Sequence, residues 1–266
     1  MDILKDIIAQ KRVRLAKAQA VCAPEVLRVR AREVRRSAMP HRLRAALSES
    51  ERFNVIAEMK RASPSKGLIR EGVEPAAMAK SYEAGGAAAI SVLTEADRFR
   101  GSLEDLRTVR AAVELPLLRK DFIFDEYQLD EAVLAGADAL LLIVAALDDE
   151  TLARLRRMTE DELGMDALVE VHDLDELRRA EKCGATLIGV NNRNLRTFDV
   201  SLKVSIELAQ HAASDSILVS ESGLRTNEDL RELHALGYRG FLIGETLMRS
   251  SHPVEELRAL CEMNGV

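Results

Sequence analysis

Four segments of this chain share one pattern, in which a helix-like stretch ends in Gly and runs within a few residues into an apolar strand. They read EAGGAAAISVL, LAGADALLLIV, KCGATLIGV and ALGYRGFLIG, with the marking glycines at Gly86, Gly136, Gly184 and Gly237. Successive glycines stand 50, 48 and 53 residues apart. That is too long for one strand and one helix and about right for two such units. Each interval should therefore contain a second strand, and VIAEMK, PLLRKDF, ALVEVH and ILVSES supply it. All are short and rich in Val, Ile and Leu, as parallel strands covered on both faces should be.

Helix starts agree with a count of eight strands. Asp125 with Gln128, Asp173 with Glu176, and Thr226 with Asp229 have the spacing of reciprocal caps just after a strand. The glycines suit the left-handed residue that stops a helix. Eight β-then-α units predict an α/β fold, a TIM (β/α)8 barrel with an amino-terminal helical extension. The expected division is a helical extension over 1–50 packed on a barrel over 51–266, a single domain overall. A doubly wound open sheet is the alternative, but it would usually carry a Gly-rich phosphate loop after its first strand. Neither GxGxxG nor GxxxxGK[ST] occurs.

The 266 residues are 47% hydrophobic and 31% charged, with no run of 18 apolar residues, which reads as an ordinary globular protein with the cytosol as its expected compartment. Cys22, Cys183 and Cys261 are far apart and outside any CxxC pairing, so buried free thiols are expected rather than disulfides or zinc. Net charge is −6, but residues 1–50 hold twelve Lys and Arg against five Asp and Glu, leaving the remainder at −13. A basic arm of this kind can bind nucleic acid. It also carries Ile3, Leu4, Ile7, Ile8, Val13, Leu15, Leu27, Val29, Val34, Leu43 and Leu47 at roughly helical spacing, which favours amphipathic helices packed on the body with their cations on the wet face.

The odd-numbered strands end in ionisable residues: Glu58 and Lys60, then Lys120, then Glu170, then Glu221. The even-numbered ones end in Asn191 after strand six and Gly244 after strand eight. Barrel interiors are layered, each layer coming from alternate strands, and active sites lie at the carboxyl ends. The five charged residues should therefore converge. Glu58 and Lys60, two apart, face the same way, and an unpaired buried charge would cost several kcal/mol. SESG (220–223) and LIGETLM (242–248) suggest a phosphate cradle after strands seven and eight, where Gly lets backbone approach an anion. His172 has no second His at ligand spacing and is expected at the surface or at a helix start. Asp121 should point away from the barrel interior, by alternation with Lys120.

IAEMKRASPSKG, LRKDFI, LVEVH, GVNNRNL, SESG and IGETLM occur in this order and together closely resemble the indole-3-glycerol phosphate synthases of tryptophan biosynthesis. The resemblance runs from about Ile3 to the carboxyl end. It implies a carboxy-lyase that closes the indole ring of 1-(2-carboxyphenylamino)-1-deoxyribulose 5-phosphate with loss of carbon dioxide and water, without a metal or organic cofactor. By matching motifs it assigns Lys120 as general acid in ring closure and Glu170 to proton transfer in the loss of water. Lys60 is assigned to phosphate contact or a share of the acid duty, and Glu58 and Asn191 to orienting groups. Glu221 and Ser222 would contact sugar hydroxyls or the catalytic network. Ser63 and Arg193 would hold anionic groups, Phe99 and Phe122 would wall the aromatic ring, and phosphate would lie against Lys60, Gly223, Gly244 and the backbone N–H of Glu245. Glu245 stands where some relatives have Ser, so its carboxylate should point away. The Ser63 to Gly67 loop would close over substrate.

Two other readings remain open at this level. A Schiff-base aldolase would use one strand-end lysine as nucleophile, and an inert barrel could carry a nucleic-acid-binding arm. The favoured reading takes a phosphorylated small molecule as substrate, with neither nucleic acid nor membrane as partner. A monomer is compatible with it, though these residues do not decide the oligomeric state.

Overall fold

The computed structural model describes residues 3–49, 51–195 and 197–263. Its centre is a closed barrel of eight parallel strands: β1 (Val55–Met59), β2 (Ala89–Leu93), β3 (Leu117–Lys120), β4 (Ala139–Ile143), β5 (Asp166–Val171), β6 (Leu187–Asn191), β7 (Ile217–Glu221) and β8 (Tyr238–Ile243). Each strand pairs with its neighbours in chain order, and β8 closes onto β1 through Val55 opposite Phe241. This is the TIM-barrel architecture expected from the repeat.

Three helices precede the barrel, α1 (Ile3–Val21), α2 (Pro24–Arg35) and α3 (Arg42–Leu47). Helices α4 (Pro75–Ala84), α5 (Leu103–Ala112), α6 (Glu126–Leu134), α7 (Asp149–Arg157), α8 (Leu174–Lys182), α9 (Lys203–Ala209) and α10 (Asn227–Ala235) each return the chain to the next strand. After β8 come α11 (Glu245–Arg249) and α12 (Pro253–Cys261). The four marking glycines have φ between +84° and +103°, a backbone state that glycine enters without the Cβ clash other residues meet. Asp125 with Gln128 and Thr226 with Asp229 form complete capping boxes. Asp173 caps α8 by accepting from the Glu176 N–H, but Glu176 turns its carboxylate to His172 instead of back to Asp173. That pair is one-sided, not reciprocal as the spacing predicts.

Period-two alternation divides the apolar residues into two cores. Val55, Ala57, Met59, Ile90, Val92, Leu140, Leu142, Val169 and Val171 face the helices. Ile56, Ala89, Leu118, Ala139, Leu141, Leu168, Leu187, Val219 and Leu242 fill the interior. Leu43 and Leu47 of α3 join the interior group, and Asn54 Nδ2 donates to the carbonyls of Leu47 and Arg239 at 3.0 and 3.1 Å. The third helix is thus a plug at the amino-terminal end of the barrel. Full burial of each leucine contributes roughly 1.5–3 kcal/mol.

The extension departs from the simple amphipathic pattern. Ile7, Leu27, Leu43 and Leu47 are buried, but Val13, Val29 and Val34 are exposed, and the cations do not all face water. Lys11 pairs with Asp121 at 2.7 Å, Arg28 with Glu126 at 2.7 Å, Arg42 with Asp138 at 3.0 Å and Arg44 with Glu160 at 2.8 Å, while Arg14 reaches Asp97. The physical reason lies in the charge imbalance itself: a basic segment beside a barrel at −13 finds its counter-charges there. The exposed pairs among these, Arg14–Asp97 and Arg28–Glu126, are worth about 0–1 kcal/mol each, whereas Asp138 and Glu160 are buried beneath their arginines. Lys11 and Asp121 are a different case, with side chains only 12% and 1% exposed. The thiols also depart from expectation: Cys261 is buried, but Cys22 and Cys183 are partly exposed, and all three are free.

Candidate active site

The interior becomes ionic within one step of the strand repeat. On each odd-numbered strand an apolar interior residue is followed two positions later by a charge: Ile56 by Glu58, Leu118 by Lys120, Leu168 by Glu170 and Val219 by Glu221. Because side chains two apart face the same way and odd strands share layers, these four form one ring at the carboxyl-terminal mouth. Lys120 Nζ lies 2.9 Å from Glu170 Oε2 and 3.1 Å from Glu221 Oε2. Lys60, just beyond the end of β1, donates to Glu58 Oε1. Glu58, Glu170 and Glu221 are all buried.

Two glycines make room for these carboxylates. A Cβ on Gly189 would collide with Glu221 Oε1, and one on Gly244 would collide with Glu58 Oε1. Gly244 therefore has a packing role that the phosphate reading did not anticipate. Glu221 Oε1 finds no hydrogen-bond partner among the described residues. Asn192, which the sequence reading passed over, ties the ends of β6 and β7 together: its Nδ2 donates to Ser220 Oγ and to the Glu221 and Ser222 carbonyls. Ser222 then turns the chain at φ +68° and Gly223 at φ +87°.

Burial and neighbouring charge act against each other in the ring. Burial alone would lower the Lys120 ammonium, but Glu170, Glu221 and Glu58 together outweigh it and hold the group protonated well above its ordinary range. Burial would likewise raise Glu170, yet Lys120 and His172 outweigh it and keep that carboxyl well below the usual carboxylate range. Glu221 goes the other way. Burial, with Glu170 and Glu58 in the same sense, lifts it to about 7 against the pull of Lys120. Glu170 and Glu221 share the Lys120 ammonium, and Glu221 is the carboxyl of the two on which the cost of ionisation falls.

All fourteen residues singled out in the sequence line one cavity of about 740 Å³. Glu58, Lys60, Lys120, Glu170, Asn191, Glu221 and Ser222 line it from the ends of the strands or the residue just beyond them, Ser63, Arg193, Gly223 and Gly244 from the segments that follow, and Glu245 from the start of α11. Phe99 and Phe122 sit side by side with ring centroids 6.2 Å apart. Asn191 Oδ1 accepts the Arg193 backbone N–H at 3.0 Å, and Arg193 Nη1 reaches the Ser65 hydroxyl at 3.4 Å. The Glu245 carboxylate accepts from Arg249 Nε at 3.1 Å and lies 4.0 Å from Lys66 Nζ.

Sequence reasoning missed several residues here. Ile3, Leu4 and Ile7 of α1 line the same cavity; their one-and-four spacing was visible as an apolar face, but nothing local says that the face meets the mouth. Asp121 does point out of the interior, and there it accepts from Lys11, Thr94 Oγ1 and Arg119, capping the Phe122 N–H as well. His172 is not at the surface. It enters α8 just before the N-cap Asp173, with its ring against Glu170, Nε2 lying 3.3 Å from Glu170 Oε1, because Glu176 on the first turn of α8 holds its Nδ1 and backbone N–H.

The chain matches the model of the family described as indole-3-glycerol phosphate synthase over residues 4–260. The chain belongs to this family. A curated relative from Carboxydothermus hydrogenoformans, named indole-3-glycerol phosphate synthase, is 46% identical over 261 residues, covering 97% of this chain and 98% of that one. Solved structures with the same fold include 3-hexulose-6-phosphate synthase from Salmonella typhimurium, with a TM-score of 0.63 at 14% identity over 78% of this chain and 96% of that one. Thiamine phosphate pyrophosphorylase from Pyrococcus furiosus gives 0.59 at 18%, covering 78% and 93%. At such low identity these two show the fold alone. No helix among the described residues is long and apolar enough to cross a membrane.

Proposed function

We propose that the chain is a carboxy-lyase acting in the cytosol, converting 1-(2-carboxyphenylamino)-1-deoxyribulose 5-phosphate to indole-3-glycerol phosphate, carbon dioxide and water. The observation that carries this reading is one ammonium, Lys120, clamped between two buried carboxylates in a cavity that also holds the Phe99 and Phe122 rings. The aromatic carbon bearing the carboxylate attacks the ketone carbon, and the ketone oxygen becomes an alkoxide that must be protonated. Carboxylates that keep Lys120 charged make it a reluctant donor to a ketone. An alkoxide is far more basic than an amine, so the transfer becomes downhill as the new bond forms.

Loss of carbon dioxide returns the bonding electrons to the ring. The hydroxyl left by ring closure then departs as water, with Glu170 moving a proton and Lys60 either assisting or binding phosphate. Glu58 and Asn191 orient these groups. Glu221 and Ser222 face the sugar hydroxyls, Ser63 and Arg193 the substrate carboxylate, and the two phenylalanines the anthranilate ring, whose burial they favour. Phosphate lies against Gly223, Gly244 and the Glu245 backbone N–H, with the Glu245 carboxylate engaged by Arg249.

The raised Lys120 speaks against a Schiff-base aldolase, which needs a neutral amine. Borohydride with substrate should leave no adduct on Lys120. Ion pairing of Lys11, Arg14, Arg28, Arg42 and Arg44 with barrel carboxylates likewise speaks against a nucleic-acid arm. The direct test supplies the substrate to pure folded protein and follows indole fluorescence; absence of product sinks the assignment.

A further inference from the structure

Glu170 is braced from two sides, and only one of them has a part in the reaction above. Lys120 Nζ meets its Oε2 at 2.9 Å, and His172 Nε2 lies 3.3 Å from its Oε1, within ion-pair range but off the line of a well-formed hydrogen bond. On the other side of the ring, His172 Nδ1 lies 2.9 Å from Glu176 Oε2, and the same oxygen accepts the His172 backbone N–H at 2.8 Å. A neutral imidazole offers one donor nitrogen and one acceptor nitrogen, whereas an ionised carboxylate only accepts. With a carboxylate oxygen at each nitrogen, a neutral ring would set one lone pair against another. The ring is only 13% exposed, so water cannot relieve the conflict. A doubly protonated ring removes it.

We propose that His172 is a positioning residue, a fixed imidazolium seated on Glu176 that holds Glu170 as a carboxylate turned toward Lys120. This rests on the reading of Glu170 as a proton-transfer group. The support comes from α8: Asp173 takes over the capping of its first turn, which frees the Glu176 carboxylate for His172. Burial would lower the imidazolium, but Glu170 and Glu176 outweigh it and raise it to about 10. The other charges that face Glu170 are Lys120 from β3 and Glu221 from β7, with Glu58 of β1 acting on both of these.

The arrangement gives the two proton transfers an order. While Lys120 is charged, Glu170 is a weak base. Once Lys120 has given its proton to the new alkoxide, Glu170 loses that partner and becomes a stronger base for the loss of water, while His172 keeps the carboxylate in place.

Two measurements test this. The ring nitrogens of His172 in the wild-type protein can be followed by 15N NMR, without turnover. The expected result is both nitrogens protonated through about pH 8 with titration near 10; titration near the ordinary 6.5 would overturn the proposal. Second, kcat/KM is measured against pH for His172→Gln and His172→Lys. The acid limb set by Glu170 should lie higher in His172→Gln than in wild type, so that the loss grows as pH falls toward the usual carboxylate range, and His172→Lys should restore it. A loss uniform in pH and equal in both variants would overturn the proposal. If His172→Gln does not fold, Glu176→Gln should lower the His172 titration in the NMR experiment, and an unchanged titration counts against it. A protein that makes no indole product defeats the functional reading, while the NMR result stands or falls separately.

Discussion

Both ends of this barrel bury carboxylates beside cations, and they do so in opposite ways. At the amino-terminal end Asp138 accepts from Arg42, Arg110 and the Leu117 backbone N–H, and Asp166 accepts from the Arg44 N–H and faces His41. The cations there are mainly arginines, which stay charged and present several donors in a fixed fork. At the carboxyl-terminal end Lys60, Lys120 and the His172 ring face the carboxylates, Glu221 Oε1 has no partner among the described residues, and the carboxyls of Glu170 and Glu221 are pushed apart, one well below the usual range and the other to about 7. A network in which every carboxylate oxygen is partnered, as both oxygens of Asp138 and Asp166 are, holds elements in place even though Arg44 Nε there finds no hydrogen bond. One with an unpartnered carboxylate oxygen, open to a cavity and holding two carboxyls shifted in opposite directions, is equipped for acid–base chemistry.

Substitutions at the two ends should separate activity from stability. The largest effect belongs to the open end: Glu170→Gln should lower kcat by about 10²–10⁴ with little change in thermal unfolding, and a variant within a few-fold of wild type would erase the distinction. Asp138→Ala, at the amino-terminal end, should lose about 3–5 kcal/mol of stability by stranding Arg42 and Arg110. Its turnover per folded molecule should be unchanged, as read by denaturant titration beside activity.

Glu221→Gln sharpens the comparison through pH. The folded-state carboxyl stands at about 7 against an ordinary 4.5, so its contribution to stability is complete below the ordinary value and is lost as pH rises toward 7. Removing it should make Tm of the variant, relative to wild type, climb between about pH 4.5 and pH 7 and then level off; a flat difference would contradict the raised carboxyl. The smallest effect is expected at the surface, where Arg14→Ala breaks the exposed pair with Asp97 and should cost no more than about 1 kcal/mol.

The barrel was readable because its signals are local and repeated. Eight apolar runs and four helix-stopping glycines each announce themselves within ten residues, and the period of two that places Ile56 inside also places Glu58 inside. The same local period brought out Lys120, Glu170 and Glu221. What stayed hidden depends on partners distant in sequence or on rotation about one bend. Lys11 meets Asp121 across 110 residues, and the apolar face of Ile3, Leu4 and Ile7 could have met any surface. His172 lies just past a strand, where alternation no longer dictates direction, and its contact with Glu170 depends on how α8 presents Glu176. Gly189 reads as an ordinary strand glycine until the Glu221 carboxylate is seen to occupy the space that a Cβ would fill.

In the proposed reaction the ionic ring of the odd strands is the chemical layer, with Lys120 as its proton donor. Single-turnover indole formation by wild type and Lys120→Met, each confirmed as folded by circular dichroism and compared at saturating substrate, tests this most directly. Wild type should form indole-3-glycerol phosphate, at a rate about 10²–10⁴-fold higher than the variant. Near-normal indole formation by Lys120→Met would contradict it.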